Sequence, residues 1–190
     1  MTKTRAKTAR PSADERVDIP HHHYRIVAGR LNGECRAIAY LGRRRFDSLT
    51  AASVAEAIET LKRTLDDHHA ALRRERTASI PTDSEFREAL DVLEAELPAS
   101  VFGLLRAHAK HGGSTATVGD LARIGVGDEA VVLAEYTRLG RRLGDLLGFT
   151  PEKDGLGRGL AAMQSFAVVE AASDRQPAQI RLRPQLVSAL

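Results

Sequence analysis

The sequence predicts an α+β chain: an N-terminal β-β-β-α unit followed by a mainly helical domain that closes in two strands. Three observations predict it. Asn32-Gly33 stands between two β-favouring runs, Tyr24–Leu31 and Glu34–Leu41. Val54, Ile58, Leu61, Leu65 and Leu72 then repeat near a 3.6-residue period. From residue 83 onward helical patterns succeed one another until 164–170 and 178–183, which read as strands. The length of 190 residues suits one large domain or two small ones, and a 43% hydrophobic content is enough to fill a core.

Residues 1–20 are polar, basic and aperiodic, and read as a disordered arm. The hairpin comes next. Asn-Gly supplies the positive φ that both positions of a tight two-residue turn need, and such a turn fixes register. Leu31 then faces Glu34, Val27 faces Ile38, and Arg25 faces Tyr40. One face becomes Tyr24, Ile26, Ala28, Cys35, Ala37, Ala39 and Leu41, apolar apart from Arg30 beside the turn, and is the expected core face. The other carries Arg25, Val27, Leu31, Arg36, Ile38 and Tyr40. Gly42 starts a second turn, and residues 44–47 form a short third strand. Ser48 or Thr50 caps the helix that runs to about Arg74. Residues 21–76 make up this unit, and 77–82, with Pro81, is the linker.

The second domain covers 83–190. Asp83 or Thr82 caps a helix with Phe86, Leu90, Leu93 and Leu97 on one stripe, and Pro98 opens the next. That helix uses Val101, Leu104, Leu105 and His108 and stops at Gly112-Gly113. A short helix begins at Thr117-Val118-Gly119-Asp120 and ends near Gly125. Asp128 opens a longer one with Val132, Tyr136, Leu139, Leu143, Leu146 and Leu147, closed by Gly148 and Pro151. Residues 151–162 are glycine-rich and undefined; two strands and a helix from Pro184 complete the chain. Helix, helix, short helix–turn–helix, hairpin is the layout of a winged helix.

Composition narrows the chemistry. The single Cys35 excludes an internal disulfide framework and a cysteine-based zinc site. Apolar runs fall short of the roughly 18 residues a membrane span needs, and no apolar stretch follows the basic N-terminus as in a signal peptide. A soluble cytoplasmic protein is expected. The net charge of +3 is unevenly spread: residues 1–80 hold 16 Lys/Arg against 10 Asp/Glu, and 81–190 hold 12 against 15. Lys3, Arg5, Lys7 and Arg10 form a basic arm, and Arg25, Arg30, Arg36, Arg43, Arg44 and Arg45 face only Glu34 within 24–46. Basic arms and patches of this kind are an electrostatic footprint of phosphate binding, though solvated faces look the same.

Residues 83–190 resemble a module of uncharacterised bacterial proteins that in some cases precedes a nuclease domain of the HNH type. The resemblance rests on Leu104-Leu105-Arg106-Ala107-His108, on Thr117-Val118-Gly119-Asp120-Leu121-Ala122, on the run from Leu139-Gly140-Arg141-Arg142 to Gly148-Phe149-Thr150-Pro151, and on the ending Arg183-Pro184-Gln185-Leu186. The chain has no His-Asn-His constellation, so the resemblance implies no nuclease activity; residues 154–164 also lack the aromatics expected at the entry to the hairpin. The β-β-β-α unit is similar in layout to small DNA-reading domains of integrases and to HicB-type antitoxins, an analogy of topology alone.

The winged-helix reading places the helix from Asp128 in the recognition position, with Arg138, Arg141 and Arg142 on its polar side and Arg175, Arg181 and Arg183 from the wing touching the backbone. Pairing of these arginines with Glu135 and Asp145 at helical spacing is the competing explanation. On the hairpin, Arg25, Arg36 and Tyr40, with Arg43, Arg44 and Arg45 beside them, offer cations and a stacking ring. Val27, Leu31 and Ile38 on the same face suit a protein partner equally.

Other constellations are weaker. Adjacent histidines in a strand point to opposite faces, so His21-His22-His23 is not expected to hold one ion. Gly155-Leu156-Gly157-Arg158-Gly159 lacks the preceding strand and the following Lys-Ser/Thr of a phosphate loop. No motif joins a serine, histidine and acid, and Cys35 lies on the core face. The expectation is a non-enzymatic, regulatory or defence-associated protein that binds nucleic acid, in particular duplex DNA, without cofactor or metal. The alternative is an antitoxin-like accessory factor that binds, and inhibits or recruits, another protein.

Overall fold

The structure, a computed structural model, describes residues 16–125, 127–149, 156–173 and 176–190. Lys3, Arg5, Lys7 and Arg10 of the basic arm, Gly155 of the glycine-rich loop and Arg175 of the expected wing lie outside the described residues. The chain is a mixed α/β protein in two compact units, Met1–Asp67 and His68–Leu190. No described helix is long and apolar enough to cross a membrane.

The first unit is a four-stranded antiparallel meander, β1 (Val17–His21), β2 (Tyr24–Leu31), β3 (Glu34–Leu41) and β4 (Arg44–Ala51), followed by α1 (Val54–Arg74). The β2–β3 register is the one the Asn32-Gly33 turn dictates, with Leu31 opposite Glu34, Val27 opposite Ile38 and Arg25 opposite Tyr40. Both turn residues have positive φ, 51° and 86°. Tyr24, Ile26, Ala28, Cys35, Ala37, Ala39 and Leu41 are buried, as are Ala57, Ile58, Leu61 and Leu65 along one stripe of α1.

Three details correct the sequence reading of this unit. The unit has four strands, because part of the expected arm is the edge strand β1; an edge tolerates Pro20, whose missing N–H needs no partner on the open side. β4 runs on to Ala51, since its backbone pairs along the whole of β3 with a bulge between Ala39 and Tyr40. Ser48 and Thr50 therefore lie in a strand, and the cap of α1 is Ser53, whose Oγ accepts the Glu56 N–H at 3.1 Å.

In the second unit, the segment 77–82 holds a tight turn: the Ile80 N–H donates to the Thr77 carbonyl at 3.0 Å. Thr82 and Glu85 then form a reciprocal capping box at the start of α2 (Asp83–Leu93). α3 (Ala99–Lys110), the two-residue strand β5 (Thr115–Ala116), α4 (Val118–Gly125) and α5 (Glu129–Leu147) follow. A second capping box, Thr117 with Asp120, starts α4, and Asp128 caps α5 by accepting the Ala130 N–H at 2.6 Å.

Residues 158–163, expected to be undefined, form the short helix α6 (Arg158–Met163) against α5. β6 (Ala167–Glu170) and β7 (Gln179–Leu182) join β5 in a sheet of order β5-β7-β6, and α7 (Pro184–Ala189) ends the chain. The core gathers Phe86, Leu93, Leu105, Leu121, Tyr136, Leu139, Leu143, Phe166 and Ile180, all inaccessible to solvent.

Candidate functional site

On the first unit, pairing sorts the open sheet face into cross-strand rows. Pro20, Arg25, Tyr40 and Arg45 make one row; Asp18, Val27, Ile38 and Ser48 make the next; Gly29, Arg36 and Thr50 the third. The structure thus sets Arg25, Tyr40 and Arg45 side by side and puts Arg36 on the same face, two rows away. Arg25 is already engaged: its guanidinium lies 5.3 Å above the Tyr40 ring and 3.5 Å from the Asp18 carboxylate. That stack occupies one face of the ring expected to receive a base. Arg45 donates to Ser48 Oγ. Arg36 and Arg43 make no ion pair among the described residues. Arg44 pairs with Leu41 and so belongs to the opposite side of the sheet from Arg45. Leu31, beside the turn, is 53% exposed.

On the second unit, α5 buries Val132, Tyr136, Leu139, Leu143 and Leu147 and turns Ala130, Ala134, Arg138 and Arg141 outward. A shallow groove runs along this side, with Leu133 and Thr137 on its α6 flank. Arg138 and Arg141 are exposed and make no ion pair or hydrogen bond among the described residues. Arg142 differs: its Nε and Nη2 donate to Glu96 Oε2 at 3.0 and 2.5 Å, and Nη1 lies 3.8 Å from Asp145.

The two described residues of the three expected wing arginines also separate. Arg181 is exposed on β7 with no ion pair among the described residues. Arg183 is half-buried, donates twice to the Gln164 carbonyl at 3.2 and 2.9 Å, and lies over the Phe149 ring. These contacts hold the Arg183 side chain between Gln164 and Phe149.

One cluster escaped the sequence reading. His21 ends β1, but His22 sits in the β1–β2 turn with φ of 52°, outside the strand geometry that would send neighbouring side chains to opposite faces. Both Nε2 atoms reach Asp66 Oδ1 of α1, at 2.9 and 2.7 Å. The His22 bond, with that of His21, holds the Asp66 carboxyl below its usual range. No signal in the sequence links positions 21 and 22 to position 66, because β1 itself is not legible there.

The interior polar groups are occupied structurally. His108 is fully buried; its Nε2–H donates to the Ile180 carbonyl at 3.1 Å and its Nδ1 accepts from the Tyr136 hydroxyl at 3.2 Å. Burial lowers its pKa to about 4, and burial pushes the Tyr136 phenol up. Ser165 Oγ, also buried, donates to the carbonyls of Gly140 and Ala162. Cys35 is buried with the Arg30 guanidinium 4.0 Å from its sulfur. Comparison of the chain with protein-family models, with curated proteins and with solved structures gives no match.

Proposed function

We propose that the chain is a non-enzymatic nucleic-acid-binding protein that engages duplex DNA through α5, acting in the cytoplasm as a regulatory or defence-associated factor. One observation carries this reading. The connectivity α3–β5–α4–α5–α6–β6–β7, with sheet order β5-β7-β6, is read as a winged helix with the short α6 inserted before its hairpin, and α5 then occupies the position from which such domains enter the major groove. The outward side of α5 suits that role. Ala130 and Ala134 allow close approach and can meet a thymine methyl, while Arg138 and Arg141 have their forks unspent for guanine edges or phosphates. Arg181 supplies a further cation from β7.

The test is binding of a labelled random duplex at about 50 and 200 mM salt, the range over which phosphate-dominated affinity falls steeply. Replacing Arg138 and Arg141 with Ala should weaken low-salt binding by at least about tenfold. Arg142→Ala should cost less, because Glu96 already holds that side chain. Equal binding by the double variant and the parent would remove α5 from the interface.

A second reading is favoured by the first unit. Leu31, Val27 and Ile38 give its open sheet face an apolar centre inside a basic border, which suits a protein partner. Val27→Ser with Ile38→Ser should then abolish partner capture while leaving duplex binding intact.

A further inference from the structure

We propose that His21, His22 and Asp66 form a site for one divalent transition-metal ion of the zinc class. The three candidate ligand atoms, two imidazole nitrogens and a carboxylate oxygen, lie within 4.8 Å of one another. They come from two elements far apart in sequence, β1 with its turn and α1, and the fold converges them on one point. His23 is directed elsewhere, with its ring stacked on Tyr24 at a centroid distance of 4.5 Å.

The geometry is close to what an ion requires. Zinc bonds to nitrogen and oxygen of about 2.0–2.1 Å set neighbouring tetrahedral ligands about 3.3 Å apart. The Nε2–Oδ1 separations here are 2.9 and 2.7 Å. Entry of the ion needs the carboxylate to recede by about half an ångström and the two imidazole nitrogens, now within 4.8 Å of each other, to settle at about that same ligand spacing; Asp66 can move because half of its side chain is solvent-exposed. Each neutral imidazole would carry its one proton on Nδ1 and turn the Nε2 lone pair to the metal, which takes the place of the hydrogen bonds to Oδ1.

Donor chemistry selects the ion. Two imidazoles and one carboxylate favour zinc, nickel, cobalt or copper over magnesium and calcium, which prefer oxygen shells. Three protein ligands leave at least one position for water. His22 is 41% exposed at its side chain, so that position opens to solvent. The bound ion would cross-link the β1–β2 turn to α1, where the two histidines and the acid otherwise form only an exposed hydrogen-bonded clamp.

The experiment is calorimetric titration of the untagged 190-residue chain with zinc chloride, repeated on Asp66→Asn and His22→Ala. One saturable site is expected, weakened at least about tenfold by either substitution, with magnesium giving no heat. No saturable binding at micromolar zinc would overturn the proposal. So would unaltered binding by both variants, which would move the ion to others of the chain's seven histidines. Should a variant fail to fold, the ring-proton NMR signals of the parent decide the matter. The signals of His21 and His22 must shift on zinc addition, and a shift of other histidines alone, or of none, rejects the site.

Discussion

Arg76 and Glu85 show how one carboxylate can serve two structures. Glu85 is 4% exposed; it accepts the Thr82 N–H at 2.9 Å, closing the capping box of α2, and takes Arg76 Nε and Nη2 at 2.6–3.0 Å. Arg76 spends its remaining reach on the Leu147 carbonyl at the end of α5. Removing either partner strands a charge in the interior, so Arg76→Ala or Glu85→Ala should cost about 3–5 kcal/mol in urea unfolding. Glu85→Gln, which keeps an acceptor for the cap, should cost less. His108 makes the complementary prediction with pH. Burial lowers its folded pKa from 6.5 to about 4. As pH falls below 6.5 the unfolded chain takes up the proton first, so stability is fully present above 6.5 and is lost down to about 4. The loss is on the order of 3 kcal/mol. His108→Leu should lower stability at neutral pH, because Tyr136 and Ile180 lose a partner, yet flatten this acid dependence; urea midpoints at pH 7 and pH 4.5 check both.

At the scale of elements, α6 rests on α5 through the absence of a side chain. A Cβ on Gly140 would overlap the Ala162 carbonyl oxygen and come within 2.7 Å of its carbon. The blocking atoms are backbone, which cannot rotate aside. Gly140→Ala should therefore destabilise the second unit by about 1–3 kcal/mol and increase hydrogen exchange in α6 before α5. Nothing in Gly140 as a letter announces this, since its partner is a short helix with too few residues to show a period. The hairpin is the opposite case. A two-residue Asn-Gly turn constrains every pair beyond it, so local chemistry alone gives the register and both faces of β2 and β3. β1 stays hidden because its Val-Asp-Ile-Pro-His pattern is short and proline-marked. β5 has two residues and exists only by pairing with β7.

Across the whole molecule, sequence pattern finds the residue types and the faces of the candidate sites but not which cations are already committed. Arg142 and Arg141 are neighbours, yet only Arg142 meets Glu96, 46 positions away. Arg183 resembles Arg181 until Gln164 and Phe149 close on it. His21 and His22 look like an alternating pair until the turn and Asp66 gather them. Long-range partners of this kind leave no local trace. The same distinction decides where phosphate affinity should reside. Committed arginines add little to counterion release, whereas Lys3, Arg5, Lys7 and Arg10 precede any acid in the chain. Deleting residues 1–15 should therefore lower duplex affinity at about 50 mM salt and flatten the log–log salt dependence by about 0.9 for each of these cations that contacts a phosphate. On the proposed reading residues 1–15 would sense charge and α5 base edges, so the deletion should weaken matched and mismatched duplexes alike, while Arg138→Ala with Arg141→Ala should erode the difference between them. Equal salt slopes with and without residues 1–15 would place the phosphate contacts on the folded units alone.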